Sequence, residues 1–172
     1  MQFDGDPITE CRLPSDRRSR LLLELFDRAF ERQAWHGPTL RGAVRGLALR
    51  EALWRPGRGR HNIWEIVLHT AYWKFIVRRR LTRDVALAFP RAGSNWPALP
   101  PAPDARGWKR DVALLQDLHR RLRTVIARFP AAALDRRGWR SRWTNAQHIY
   151  GIAAHDLYHA GQIQLLKRLQ RA

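Results

Sequence analysis

Four stretches of this chain carry apolar residues at steps of three and four, and each is opened by a residue suited to cap a helix; no stretch reads convincingly as a strand. The first starts at Ser15, with Asp16 in its first turn and Leu22, Leu25, Phe26, Ala29 and Phe30 on one face, and is expected to stop at His36-Gly37-Pro38. A short helical piece, about residues 39 to 53, holds Leu40, Val44, Leu47 and Leu53 ahead of the turn running from Arg55 to Arg60. The second long helix opens on Asn62 with Glu65 three positions on, a reciprocal capping pair, and runs to about Leu81. Between Thr82 and Pro103 stand Pro90, Pro97, Pro100, Pro101 and Pro103, which predict a long irregular crossover or a lid. Asp104 caps a third helix whose stripe of Val112, Leu115, Leu118, Leu122, Val125 and Phe129 ends at Pro130. The last helix begins at Thr144, with Gln147 completing another capping box, and reaches about Leu169. This pattern predicts an all-α four-helix bundle, with the long crossover joining the second and third long helices, in one domain spanning residues 1–172.

Composition narrows the function classes. A content of 45% hydrophobic and 10% aromatic residues, eight of them Trp, argues for a packed core and against disorder. No apolar stretch approaches the roughly 20 residues needed to span a bilayer, and the start, Met1 to Asp6, lacks a basic and then apolar leader, so a cytoplasmic protein without a membrane partner is expected. The lone Cys11 excludes a disulfide framework and a cysteine-based metal site, and no local motif marks it as a nucleophile. A net charge of +17 invites a nucleic-acid partner. The basic residues are almost all Arg and are spread over every segment, which fits a solvated surface better than a groove reader. Runs such as Arg78-Arg79-Arg80 and Arg120-Arg121 fall toward the expected C-terminal ends of helices.

The residues that carry chemistry are histidines. His155 and His159 are spaced i,i+4 in the last helix, so both rings leave the same face, and His69 stands in the second long helix. On the last helix one stripe mixes His148, His155, His159 and Gln162 with Ile152 and Leu166. Polar groups aimed at an apolar interface need partners, and leaving one unpaired costs on the order of 1–3 kcal/mol. Either each ring finds its own hydrogen bond, or one ion satisfies several of them. Three imidazoles with open coordination positions would make a reactive metal site rather than a closed structural one. Glu65 could add a carboxylate, but its place in the capping box gives it a simpler role. Asp156 is adjacent to His155 and so cannot share its face; it is expected behind the ligands or at the surface.

The stretches Gly59 to Trp73 and Gly151 to Ile163, the latter containing two His followed by Gly161-Gln162-Ile163, resemble the DinB-like superfamily of DNA-damage-inducible and related proteins. In organisation the resemblance covers nearly the whole chain. It implies an up-down-down-up bundle, frequently a homodimer, with a divalent ion held by three His that fall on His69, His155 and His159. Relatives with known chemistry include thiol-cofactor-dependent transferases and isomerases. A small-molecule substrate follows, with a low-molecular-weight thiol such as bacillithiol, mycothiol or glutathione favoured and hydrolysis as the competing reaction. Zinc or nickel lead as the ion, with iron, manganese and copper also compatible with imidazole. A non-catalytic metal- or ligand-binding sensor is the alternative, and a basic nucleic-acid-binding protein the third reading.

Around the trio, Gln162 extends the ligand stripe by one step and is the candidate for orienting a ligand or a bound water. His148 either lines the pocket or is a hydrogen-bonded core histidine. Trp73, one turn beyond His69, is expected either to form an apolar wall of the site or to be plain core. Tyr158 sits off the stripe, and His36, His61 and His119 are assigned structural or surface roles.

Overall fold

The computed structural model describes residues 14–171, and Cys11 lies outside them. Among the described residues the chain is helical without a strand: α1 (Arg17–Phe30), α2 (Leu40–Val44), α3 (Leu49–Leu53), α4 (Ile63–Thr82), α5 (Ala105–Ala127), a 3-10 turn (Ala131–Ala133) and α6 (Asn145–Leu169). No helix among them is long and apolar enough to cross a membrane.

The three later long helices start where their caps place them. Asn62 accepts from the Glu65 amide while the Glu65 carboxylate accepts from the Asn62 amide, Asp104 accepts from Gly107, and Thr144 and Gln147 cap each other. Glu65 also takes a two-pronged ion pair from Arg55, so its carboxylate is fully engaged away from any metal.

Several expectations are corrected. The cap of α1 is Asp16, not Ser15, because the Asp16 carboxylate is the group that reaches the Ser19 amide, at 2.8 Å. The helix ends at Phe30, well before Gly37, since Phe30 is the last apolar anchor and the residues that follow expose their side chains, Trp35 almost completely. The piece from 39 to 53 is two short helices, broken where Gly46 adopts a left-handed φ of 74°. α5 stops at Ala127, so Phe129 lies beyond it. Arg120 and Arg121 sit inside α5, where Asp117 pairs with both, rather than at its end. Of the two places expected for Asp156, the surface is ruled out, since its side chain is fully buried.

α4 packs against α5 and α6, and α1 packs against the same two helices. Its N-terminal half is buried almost continuously from Ile63 to Ala71, as a helix covered on several sides must be. Trp64 meets Trp108 near the starts of α4 and α5. Further along, His69 and Lys74 of α4 face His155, His159 and Asp156 of α6. On the other side Asp27 of α1 accepts two hydrogen bonds from Arg123 of α5, while Arg18 pairs with Asp135 ahead of α6.

The crossover from 83 to 104 is irregular but anchored. The buried Asp111 carboxylate accepts from the Trp64 indole at 2.8 Å and is paired with Arg91 of the crossover, and Phe89 packs on Tyr72 and Phe75. This strap is thereby held against α4.

His119 of α5 is sandwiched between Phe26 and Phe30, at ring distances of 4.4 and 3.8 Å, and neither of its nitrogens has a hydrogen-bond partner among the described residues. Burial, followed by the cations Lys74, Arg123, Arg120 and Arg41, holds its pKa far below the ordinary imidazole value, while the Glu31 carboxylate stands 3.8 Å away. The folded chain therefore keeps His119 neutral where the unfolded chain takes up a proton, so stability must fall as the pH drops below about 6.5. Urea titrations at a series of pH values should show that His119→Phe flattens this acid-side loss by up to about 1.4 kcal/mol per pH unit. Parallel curves for the two proteins would refute the assignment.

Candidate metal centre

α4 contributes His69 and α6 contributes His155 and His159, and the three are brought together with one candidate ligand nitrogen from each all within 4.8 Å of one another. The His155 Nε2 atom lies 3.0 Å from Nε2 of His69 and 3.1 Å from Nε2 of His159. Bonds of about 2.1 Å to one ion impose nitrogen separations of about 3.0 Å at right angles and about 3.4 Å at tetrahedral angles. His69 and His159 are buried and His155 is half-buried.

Hydrogen bonds from behind fix which nitrogens face inward. A backbone carbonyl can only accept, so the contact of 2.7 Å between His69 Nδ1 and the Asn95 oxygen places a proton on Nδ1 and leaves a lone pair on Nε2. The Gln162 Oε1 atom does the same for His159 Nδ1 at 2.7 Å, while Gln162 Nε2 donates to the Tyr158 hydroxyl. Two lone pairs thus point at His155, whose Nδ1 is buried without a hydrogen-bond partner among the described residues. A single proton on His155 Nε2 must be shared between two acceptors, whereas one cation satisfies all three nitrogens. The donor set fits a divalent ion.

The rings are neutral at physiological pH. Burial lowers the pKa of His69; burial and then the neighbouring imidazoles push His155 down to about 3; and burial, then His69, takes His159 to about 4. No proton competes for the ligand positions near pH 7.

The pocket candidates divide. Gln162 holds His159, as described. Trp73 is half-buried and donates its indole N–H to the Asn95 side chain at 2.8 Å, so it braces the crossover as well as forming a wall. His148 is buried and hydrogen-bonded to Ser141 at 2.8 Å; burial and then Arg80 push its pKa down to about 4. It lines a cleft with His155, a cleft that His69 and His159 do not line.

Sequence reasoning missed a second layer supplied by the crossover. Trp96 lies flat between His61, at 3.6 Å, and His69, at 3.9 Å. Asn95, with a left-handed φ of 55°, spends its carbonyl on His69 and its side chain on Trp73. The run Gly93-Ser94-Asn95 carried a turn signal, Asn being one of the few side chains at ease in that conformation, but nothing in it pointed at His69.

Two clefts reach the cluster. One, of about 490 Å³, reaches all three imidazoles past Trp96, Tyr158 and Gln162. The other, of about 640 Å³, reaches His155 past Trp73, Ile152 and His148.

These features define a helical protein with a three-imidazole cluster between two of its long helices, a cluster that could hold a divalent metal. Residues 33–163 match the family profile of the DinB superfamily, and the chain belongs to that superfamily. No curated protein and no solved structure matches it.

The loop ahead of α6 packs tightly on His148: a Cβ added at Gly138 would stand 2.7 Å from His148 Cδ2. Gly138→Ala should therefore destabilise the fold by about 1–3 kcal/mol. Combining it with His148→Ala should recover part of that loss in a double-mutant cycle. Strict additivity of the two would mean that Gly138 is not reserved for the imidazole.

Proposed function

We propose that His69, His155 and His159 hold one divalent ion, zinc or nickel first and iron or manganese next. On this reading the protein is a metal-dependent enzyme that transfers a low-molecular-weight thiol or hydrolyses a small-molecule substrate. The observation that carries the reading is the convergence of three neutral imidazoles, two with inward lone pairs fixed from behind, in a member of the DinB superfamily. When bound, the ion supplies a Lewis acid able to draw down the pKa of a water or a thiol, which no side chain of the cluster can do alone. The chain's own groups orient and shield: Asn95 and Gln162 set the ring tautomers, and Trp73 and Trp96 wall the site from solvent.

The same reading includes a single domain built as an up-down-down-up four-helix bundle. Its support is that Trp64 meets Trp108 near the start of both helices, whereas along α4 and α6 the contacts run in opposite senses, from His69 with His159 to Lys74 with Asp156. A cytoplasmic homodimer belongs to it too, with the exposed Leu21 and Leu25 of α1 and Leu165 and Leu169 of α6 as apolar side chains that a second copy would cover.

Elemental analysis of protein purified without an affinity tag tests the proposal. The expected result is about one divalent ion per chain, lost in His159→Ala while the far-ultraviolet dichroism stays helical. Protein that is metal-free and cannot be reconstituted would overturn it. With the ion in place, a panel of thiol acceptors and esters separates transfer from hydrolysis.

A further inference from the structure

The larger cleft has an electrostatic character that holding a metal does not require. Arg80, from the last turn of α4, and Arg140 and Arg142, from the loop ahead of α6, line it, and no carboxylate does. None of the three guanidinium groups pairs with an acid among the described residues; Arg140 and Arg142 instead lie over Trp139 and Trp143, at 4.6 and 4.8 Å. Trp73, Val77 and Ile152 supply apolar wall to the same cleft, and His155 of the imidazole cluster lines it too.

The loop that carries the two arginines is a built element. The Gly138 amide donates to the Trp143 carbonyl at 2.9 Å, the Asn145 amide donates to the Arg136 carbonyl at 2.9 Å, and Arg137 and Thr144 form an antiparallel bridge. Ser141 at its tip is hydrogen-bonded to the buried His148, and Arg140 holds a left-handed φ of 50°. A strained residue at the tip of a pinned hairpin, beside an unneutralised cluster of cations, is an arrangement that stability alone does not call for.

We infer that this cleft binds an amphipathic organic anion, with its oxyanion on Arg80, Arg140 and Arg142 and its apolar or aromatic body directed along Trp73 and Ile152 toward His155. Guanidinium groups suit carboxylate and phosphate oxygens through paired N–H donors, and a concave volume of about 640 Å³ is the size of a small-molecule site. The mixed lining argues for a small ligand over a nucleic acid, because a duplex backbone would engage the arginines but leave the apolar walls of Trp73, Val77 and Ile152 without a partner. The inference rests on the metal reading only for what the ligand is presented to; recognition of the anion by the cleft does not need the ion.

Quenching of tryptophan fluorescence by 4-phenylbutyrate, by the matching phosphonate and by the uncharged 4-phenylbutanamide tests it, on the full chain with and without metal. Either or both oxyanions should bind at least about tenfold more tightly than the amide, and which one binds better identifies the headgroup. Arg140→Gln/Arg142→Gln should abolish that preference while leaving the affinity for the amide unchanged; both positions are exposed, so the fold is not at stake. Arg80→Gln should weaken both oxyanions in the same direction. His159→Ala should retain the preference, so a failure of the metal centre and a failure of the anion cleft are separable. Equal affinity for acid and amide, or an arginine double variant that still prefers the oxyanions, would overturn the inference. So would a short DNA duplex that displaces the probes at lower concentration than their own affinities.

Discussion

The ion pair between Lys74 of α4 and Asp156 of α6 sets the register on which the histidine cluster depends. Both side chains are fully buried, their charged atoms are 2.5 Å apart, and the ammonium lies over the faces of Phe26 and Phe30 of α1. Asp156 follows His155 directly and Lys74 is five positions beyond His69, so a slip of either helix would separate the imidazoles and leave a buried charge without its partner. Removing one member of such a pair typically costs about 3–5 kcal/mol, whereas replacing both by apolar groups can be neutral. The pair is therefore better understood as a device for alignment than as a source of net stability, and what it aligns is the cluster.

Alignment brings the rings together; the crossover determines how they face. The carbonyl of Asn95 selects the tautomer of His69 from outside the helices, and Trp96 covers that ring on the solvent side. Arg91 and Phe89 hold the same segment against α5 through Asp111 and against α4 through Tyr72 and Phe75. A segment rich in proline and poor in regular structure thus acts as part of the centre. Its irregular backbone is what frees a carbonyl to accept from an imidazole, since a carbonyl inside a helix is already committed to its own ladder.

Local signals carried much of this into the sequence. Asn62 with Glu65, Asp104, and Thr144 with Gln147 mark helix starts because capping is decided within one turn, and the i,i+4 spacing of His155 and His159 places both rings on one face by helix geometry alone. What depends on distant parts of the chain was not legible. Asp156 could not be assigned between the interior and the surface because its partner lies 82 residues away. His61 and Trp96 meet only once the crossover is folded back, and Arg80, Arg140 and Arg142, three of the arginines scattered along the chain, come to one cleft only when the end of α4 meets the loop ahead of α6. The early end of α1 reflects the same limit: the residues after Phe30 are compatible with a helix but have nothing to pack against.

The central claim is that three imidazole nitrogens from two helices share one cation. X-ray absorption spectroscopy at the edge of the bound metal addresses it directly. The account predicts three imidazole nitrogens at about 2.0–2.1 Å, with the multiple-scattering pattern of rigid rings and lighter scatterers completing the shell. An ion coordinated by one imidazole or none, or one dominated by carboxylate oxygens, would contradict it.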